Sequence, residues 1–229
     1  GSPVQKSLAG WWAGPAWGGN AQALDVARRF GDWVKTRTDR LSDEQMERML
    51  AMEHGGINEA LANLYAATGE ERYLQAARRF YHQAVLDPLA RGEDQLAGKH
   101  ANTQFPKVIG TARLYELTGD APYRSLSEFF WDRVVYHHSY VIGGNSDREH
   151  FGEPDKLNER VSPWTVETCN THNMLKLTRH LFAWHAEPAE ADYYERALYN
   201  QVLASQDPQT GMMAYHFPLF GNCFRPYNT

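Results

Sequence analysis

Cysteine is scarce in this chain: Cys169 and Cys223 are the two present in 229 residues. That rules out a disulfide framework for a protein of this length and leaves at most one bridge between them. A basic excess is missing as well. Lys and Arg number 23 against 28 Asp and Glu, the net charge is -5, and the basic residues are scattered among acids, which argues against a nucleic-acid partner. No apolar run approaches the ~18 residues of a membrane span, so no membrane partner is expected, and no charged-then-apolar signal segment opens the chain. The opening Gly1-Ser2 reads as the remnant of a cleaved tag, which leaves cytoplasmic and periplasmic locations both open. Glycine-rich phosphate loops, His-Glu-x-x-His and Gly-x-Ser-x-Gly are also lacking. Their absence gives no support to nucleotide-dependent transfer, zinc proteolysis or serine-hydrolase chemistry.

What the chain does have is apolar and aromatic residues. Hydrophobic residues make up 42%, enough for a sizeable core in one large domain covering residues 1 to 229. The 7 Trp, 12 Tyr and 10 Phe exceed what a small helical core needs. Each ring taken singly reads as core, whereas the excess suits a groove that stacks flat sugar faces.

A repeat organises the middle. Phe30, Phe80 and Phe130 lie 50 residues apart, as do Gly19, Gly69 and Gly119, and Tyr65 and Tyr115 keep the same interval. Self-similarity at this period signals stacked supersecondary units. Each unit reads as two helices. One carries Ile57, Leu61, Leu64 and Tyr65 on a stripe and stops at Gly69; the next runs from about Arg72 to Val85, where Pro88 prevents continuation. A fourth copy, with Phe182 in the place of Tyr115, follows after a longer interval of about 67. The added length lies in the Gly/Asn/Asp/Pro-rich stretch 143–164, a loop of the kind that carries function. The fold class expected is all-α, an α/α toroid of helical hairpins, incomplete here, with a non-helical tail over 206–229. Incomplete closure would leave inner-helix surface bare, so a homodimer is a possible partner state.

In a toroid the inner helices begin at the mouth. Their starts are "MEHGGINE" (52–59), "GKHANTQFP" (98–106) and "VETCNTHN" (166–173), all rich in His, Glu, Asn, Gln and Cys. Such a rim is how a ligand pocket looks in sequence. Glu167 and Cys169 could both face a zinc ion. The alternative is a helix capped by Thr165 or Thr168, with Glu167 at its positive end and Cys169 a small buried hydrophobe. The loop adds Asp147, Glu149, His150, Glu153 and Asp155. A glycosidase needs a carboxylic acid, often with its pKa raised by burial, and a solvated acidic loop is the competing reading.

The segments "ETCNTHNMLKLTRHLF", "GGNSDREHF", "AGKHANTQFPKVIG" and "ARLYELTGD" resemble the bacterial β-L-arabinofuranosidases of glycoside hydrolase families 127 and 146. The resemblance runs from about Asn20 to the end. It implies an α/α barrel and a retaining glycosidase acting on plant-derived arabinose-containing glycans, with a zinc-bound cysteine as nucleophile. Glu167 and Cys169 match two zinc ligands, and Cys223 is a speculative third. Glu149 matches the general acid/base, with Glu153 as second choice. His54 and His100 match substrate-contacting histidines, and Gln104 and His150 join them as sugar contacts. The family's Phe-Trp-Cys-Cys segment, with the nucleophile and the last two thiolates, has no counterpart before residue 229, so an incomplete zinc site and weak or no turnover are expected. A non-catalytic carbohydrate-binding toroid and a helical-repeat scaffold are the alternatives from other classes.

Overall fold

A computed structural model describes residues 7, 8, 10, 20–53, 56–225 and 227. Gly1, Ser2, Gly19 and His54 lie outside the described residues. The chain divides into two compact units, Gly1–Arg91 with Pro106–Leu126, and Gly92–Phe105 with Ser127–Thr229. The helices are α1 (Ala21–Thr38), α2 (Asp43–Glu53), α3 (Asn58–Thr68), α4 (Glu71–Arg79), α5 (Gln83–Ala90), α6 (Ala101–Thr118), α7 (Ala121–Arg133), α8 (Thr168–His185) and α9 (Pro188–Ala197). Among the described residues the extended segments meet only as isolated bridges, so the all-α expectation holds. None of these helices is long and apolar enough to cross a membrane.

Local chemistry explains the helix ends. Asn20 caps α1 by accepting the Ala23 N–H on its side-chain oxygen at 3.1 Å, and Lys35 and Arg37 sit in the last turn, where positive charge is favoured. The repeat is visible atom by atom. Gly69 and Gly119 close α3 and α6 in the left-handed region (φ 69° and 73°), and their N–H groups donate to the carbonyls of Tyr65 and Tyr115, each at 2.8 Å. Thr68 and Thr118, also 50 apart, each donate a hydroxyl to a carbonyl at 2.8 Å, those of Leu64 and Leu114. The fourth copy follows the rule with a different residue. Ala186 closes α8 at φ 55°, and its N–H donates to Phe182, the position equated with Tyr115.

In the first unit the repeat faces form a shared core that includes Val34, Leu50, Leu61, Leu64, Tyr73, Ala76 and Leu114. Full burial of each large apolar side chain contributes roughly 1.5–3 kcal/mol relative to leaving it exposed. The reading of the second helix is corrected here. The chain leaves the helix at Phe80–His82, not at Pro88, and Pro88 lies inside the separate helix α5. Because the break restarts the helix at Gln83, the proline falls in the last turns of a short helix and forfeits one backbone bond instead of interrupting a long run. Ala84, near the start of the restarted helix, is exposed.

In the second unit, α7 and α9 pass into π-helical turns at Val134–His138 and Leu198–Val202. The long loop is pinned by the bridges Ser139↔Asn145, Asp147↔His150 and Asp147↔Thr165, around a small core of Tyr140, Val166 and Phe217. The described tail is non-helical after Ser205, as expected.

Two glycine substitutions separate backbone strain from packing. Gly69→Ala meets no neighbour and is expected to cost about 1–2 kcal/mol through its left-handed φ. Gly110→Ala would collide with the buried Asn58 side chain, which donates to Lys107 O at 3.0 Å, and an overpacking loss of about 1–3 kcal/mol is expected. Chemical denaturation of both variants checks this, and a neutral Gly110→Ala would contradict the close approach.

Candidate functional site

The second unit brings together the starts of α6 and α8, the loop and the tail. Glu167 occupies the N-cap position of α8 with extended backbone, and no side chain caps that helix. Thr165 turns its hydroxyl back to Ser162 O and Thr168 donates to Ala214 O, so the capping reading of either threonine is set aside. Cys169 is exposed, which also corrects the buried-thiol reading, and neither cysteine forms a disulfide. Within the first turn of α8, Asn170 and Thr171 take the buried positions and Cys169 the exposed one.

Glu167 itself is 1% exposed. Its Oε1 accepts the Asn102 amide at 3.3 Å and lies 3.1 Å from the Tyr215 hydroxyl, while its Oε2 is buried without a hydrogen-bond partner. Asn102 is oriented in turn by the Asn173 amide at 2.8 Å, so the first turns of α6 and α8 are tied together. The bridge Glu167↔His216 draws the tail across the site.

Glu149 faces the same tyrosine. The Tyr215 hydroxyl donates to Glu149 Oε1 at 2.7 Å, and His100 Nε2 lies 3.4 Å from Glu149 Oε2. The Tyr215 hydrogen bond, aided by His100 and His216, holds the Glu149 carboxyl below its ordinary range against opposing desolvation. The expectation of a raised acid is therefore corrected: Glu149 is partly open to water and flanked by donors, so its charged form is favoured. Burial raises the Tyr215 phenol and lowers the His216 imidazole. Tyr215 has one proton for two carboxylates, so a single extra proton taken up by the pair would turn both contacts into hydrogen bonds.

The backbone around these groups is strained. Glu149 has φ 67° and Val166, directly before Glu167, has φ 56°, a left-handed conformation that a β-branched residue rarely adopts. Both are held from outside: Ala101 N–H donates to Glu149 O at 2.7 Å and Val166 N–H to Ser146 O at 2.9 Å. Gly144 leaves the space that Val166 fills, since a side chain there would collide with it.

The other sequence candidates divide. His100 joins the site, with His150 edge-on to it at 5.3 Å between ring centroids. Gln104 is buried and spends its amide on His100 O (2.9 Å) and the Thr103 hydroxyl (2.8 Å), which makes it a support for His100. Glu153 is exposed, with no side-chain partner described to place it against the cluster. Tyr215 and His216 were not singled out from sequence, although "AYHF" is a polar-aromatic alternation in an otherwise plain tail.

The resemblance implies a zinc ion held in part by Glu167 and Cys169. The orphaned Oε2 of Glu167 suits a cation, but among the described residues no group of three His, Cys, Asp or Glu side chains is placed to hold a metal. Cys223 therefore does not join Glu167 and Cys169 in such a group, and a tetrahedral zinc needs four donors.

Stacked hairpin repeats, with Glu167 at the start of one helix and Glu149 in the loop before it, mark an all-α domain of the helical-toroid class. Residues 4–228 match the model of the β-L-arabinofuranosidase GH127 catalytic domain, and the chain belongs to that family. It is 25% identical over 218 residues to the non-reducing end β-L-arabinofuranosidase of Bifidobacterium longum subsp. longum, covering 81% of this chain and 32% of that protein. Its fold is similar to that of a GH127 β-L-arabinofuranosidase from Geobacillus stearothermophilus T6, with TM-score 0.73 and 22% identity over 94% of this chain and 38% of the other. A second GH127 β-arabinofuranosidase gives TM-score 0.71 and 23% identity, covering 94% and 35%. The chain thus spans about a third of the curated relative it matches.

Replacing Tyr215 with Phe is expected to return the Glu149 pKa upward toward the ordinary carboxylate range, read by NMR titration of the carboxyl carbon. A depressed folded pKa adds stability above the unfolded value that is lost as pH falls through the folded one. Acid unfolding of Tyr215→Phe should therefore show less pH dependence in that window; an unshifted Glu149 would contradict the assignment.

Proposed function

We propose that this chain carries the acid/base half of a retaining β-L-arabinofuranosidase site acting on plant-derived arabinose-containing glycans. The observation that carries the reading is the Glu149–Tyr215–Glu167 constellation on a chain of the GH127 family. In this reading Glu149, once protonated, delivers its proton to the departing glycosidic oxygen and later takes one from water. Tyr215 holds that carboxyl in place through its hydroxyl. His100 orients Glu149 from the other side and would meet a sugar hydroxyl. Glu167 and Cys169 would hold zinc together with donors that the described residues do not supply. The metal would stabilise a thiolate at neutral pH. No residue of this chain is assigned as nucleophile, and a non-catalytic sugar-binding role is the second reading.

Hydrolysis of aryl β-L-arabinofuranosides with good and poor leaving groups tests the reading. Wherever turnover is measurable, Glu149→Gln should lower it about 10²–10⁴-fold for the poor leaving group and far less for the good one. An equal loss for both would remove Glu149 as acid. Metal content by mass spectrometry, for the wild type and Cys169→Ser, tests the half-site. Zinc retained equally in both would sink the assignment of Cys169.

A further inference from the structure

The first unit departs from its own repeat at one place. Arg28 and Glu70 pair at 2.8 Å, and their equivalents 50 residues on, Arg78 and Asp120, pair at 3.2 Å. Beside the first pair, α1 runs straight past Gly31, whose missing side chain lets Tyr73 and Leu64 close over it, and Tyr73 is fully buried. Beside the second pair the position of Gly31 is taken by Tyr81, in the break between α4 and α5, and that of Tyr73 by Tyr123. The two rings stand 6.4 Å apart and tilted by 51°, and where the sister interface is closed there is a cavity of about 640 Å³.

Its wall is built from behind. Glu47 lines the cavity and accepts the N–H groups of Gln83 (2.9 Å) and Ala84 (3.4 Å). Beside it lies His82 Nε2 at 3.9 Å, and His82 Nδ1 contacts Lys107 Nζ at 2.9 Å. His82 is 6% and Lys107 1% exposed. A buried ammonium is costly unless compensated, and this row of groups fixes the Glu47 carboxylate at the wall. Arg79 donates to Leu41 O at 2.7 Å while its buried Nε has no partner.

The lining charges set the ligand. Carboxylates of Asp43, Glu47 and Asp120 stand with the guanidiniums of Arg78 and Arg79, so neither a compact anion nor a metal cation is favoured. Donors and acceptors side by side, two aromatic rings and a volume within the ~300–1,000 Å³ of small-molecule sites suit a neutral polyhydroxylated molecule. We propose that this cavity is a second carbohydrate-binding site, which takes a neutral sugar unit of an oligosaccharide and shares no residue with the Glu149–Glu167 site.

Amide NMR of the whole chain with an arabinose disaccharide as probe, and galacturonic acid as the anionic comparison, tests this. Saturable shifts are expected at residues 78–83 and 120–126 with the neutral probe. Arg78→Ala and Tyr123→Ala should each weaken them at least tenfold, and Glu149→Gln should leave them unchanged. Should Tyr123→Ala fail to fold, the exposed Gln83→Ala and the wild-type shift map decide. Shifts confined to the Glu149 surroundings, tighter binding of the acid, or no shifts at all would overturn the proposal. Because Glu149→Gln leaves this site intact, its failure and that of the glycosidase reading are distinguishable.

Discussion

A carboxylate withdrawn from water is the constraint around which the second unit is arranged. Glu167 sits at the start of α8, where the unpaired N–H groups favour negative charge. Asn102 donates to one oxygen, which also lies 3.1 Å from the Tyr215 hydroxyl, and the other oxygen is left without a partner. Placing that side chain requires Val166 to turn left-handed, which requires Gly144 to be bare and Ser146 to accept the Val166 N–H. The long loop is thus held by contacts whose common effect is to fix one acid, and the strain concentrates there.

The same arrangement explains why Glu149 is held as a carboxylate. The Tyr215 hydroxyl donates to it, and with His100 and His216 nearby this outweighs the desolvation that opposes the charged form. The hydrogen bond favours the charged form of Glu149 and not a neutral acid with a raised pKa. That distinguishes it from a carboxylic acid kept neutral by an apolar pocket.

Hairpins were legible because their turns repeat. Gly69, Gly119, Tyr65 and Tyr115 stand at equal intervals, and the left-handed caps put each N–H on the expected carbonyl. The break at Phe80–His82 is not legible in sequence, since nothing in "RRFYHQAV" is a helix breaker and Pro88 marks a stop further along. There His82 meets the buried Lys107 at 2.9 Å, a contact 25 residues away that the local sequence does not show. At the site, Glu149, Glu167 and His100 could be read because they lie in segments that resemble the family. Tyr215 and His216 come from a tail without period, and their role exists only through contacts with residues 48 to 66 positions away. The exposure of Cys169 was illegible for a similar reason: helix register alone does not say what stands over the first turn.

Ala186 shows how the architecture diverges. It adopts the same left-handed turn as Gly69 and Gly119 without being glycine, at a cost of about 1–2 kcal/mol. Packing of the hairpin on either side therefore dictates the turn, and the amino acid there only eases it. Copies of such a unit can lose their sequence punctuation one by one while the backbone keeps its path. Kinship between hairpins then outlasts any motif that would reveal it, and ancestry within this fold is recorded in hydrogen-bond addresses more durably than in letters.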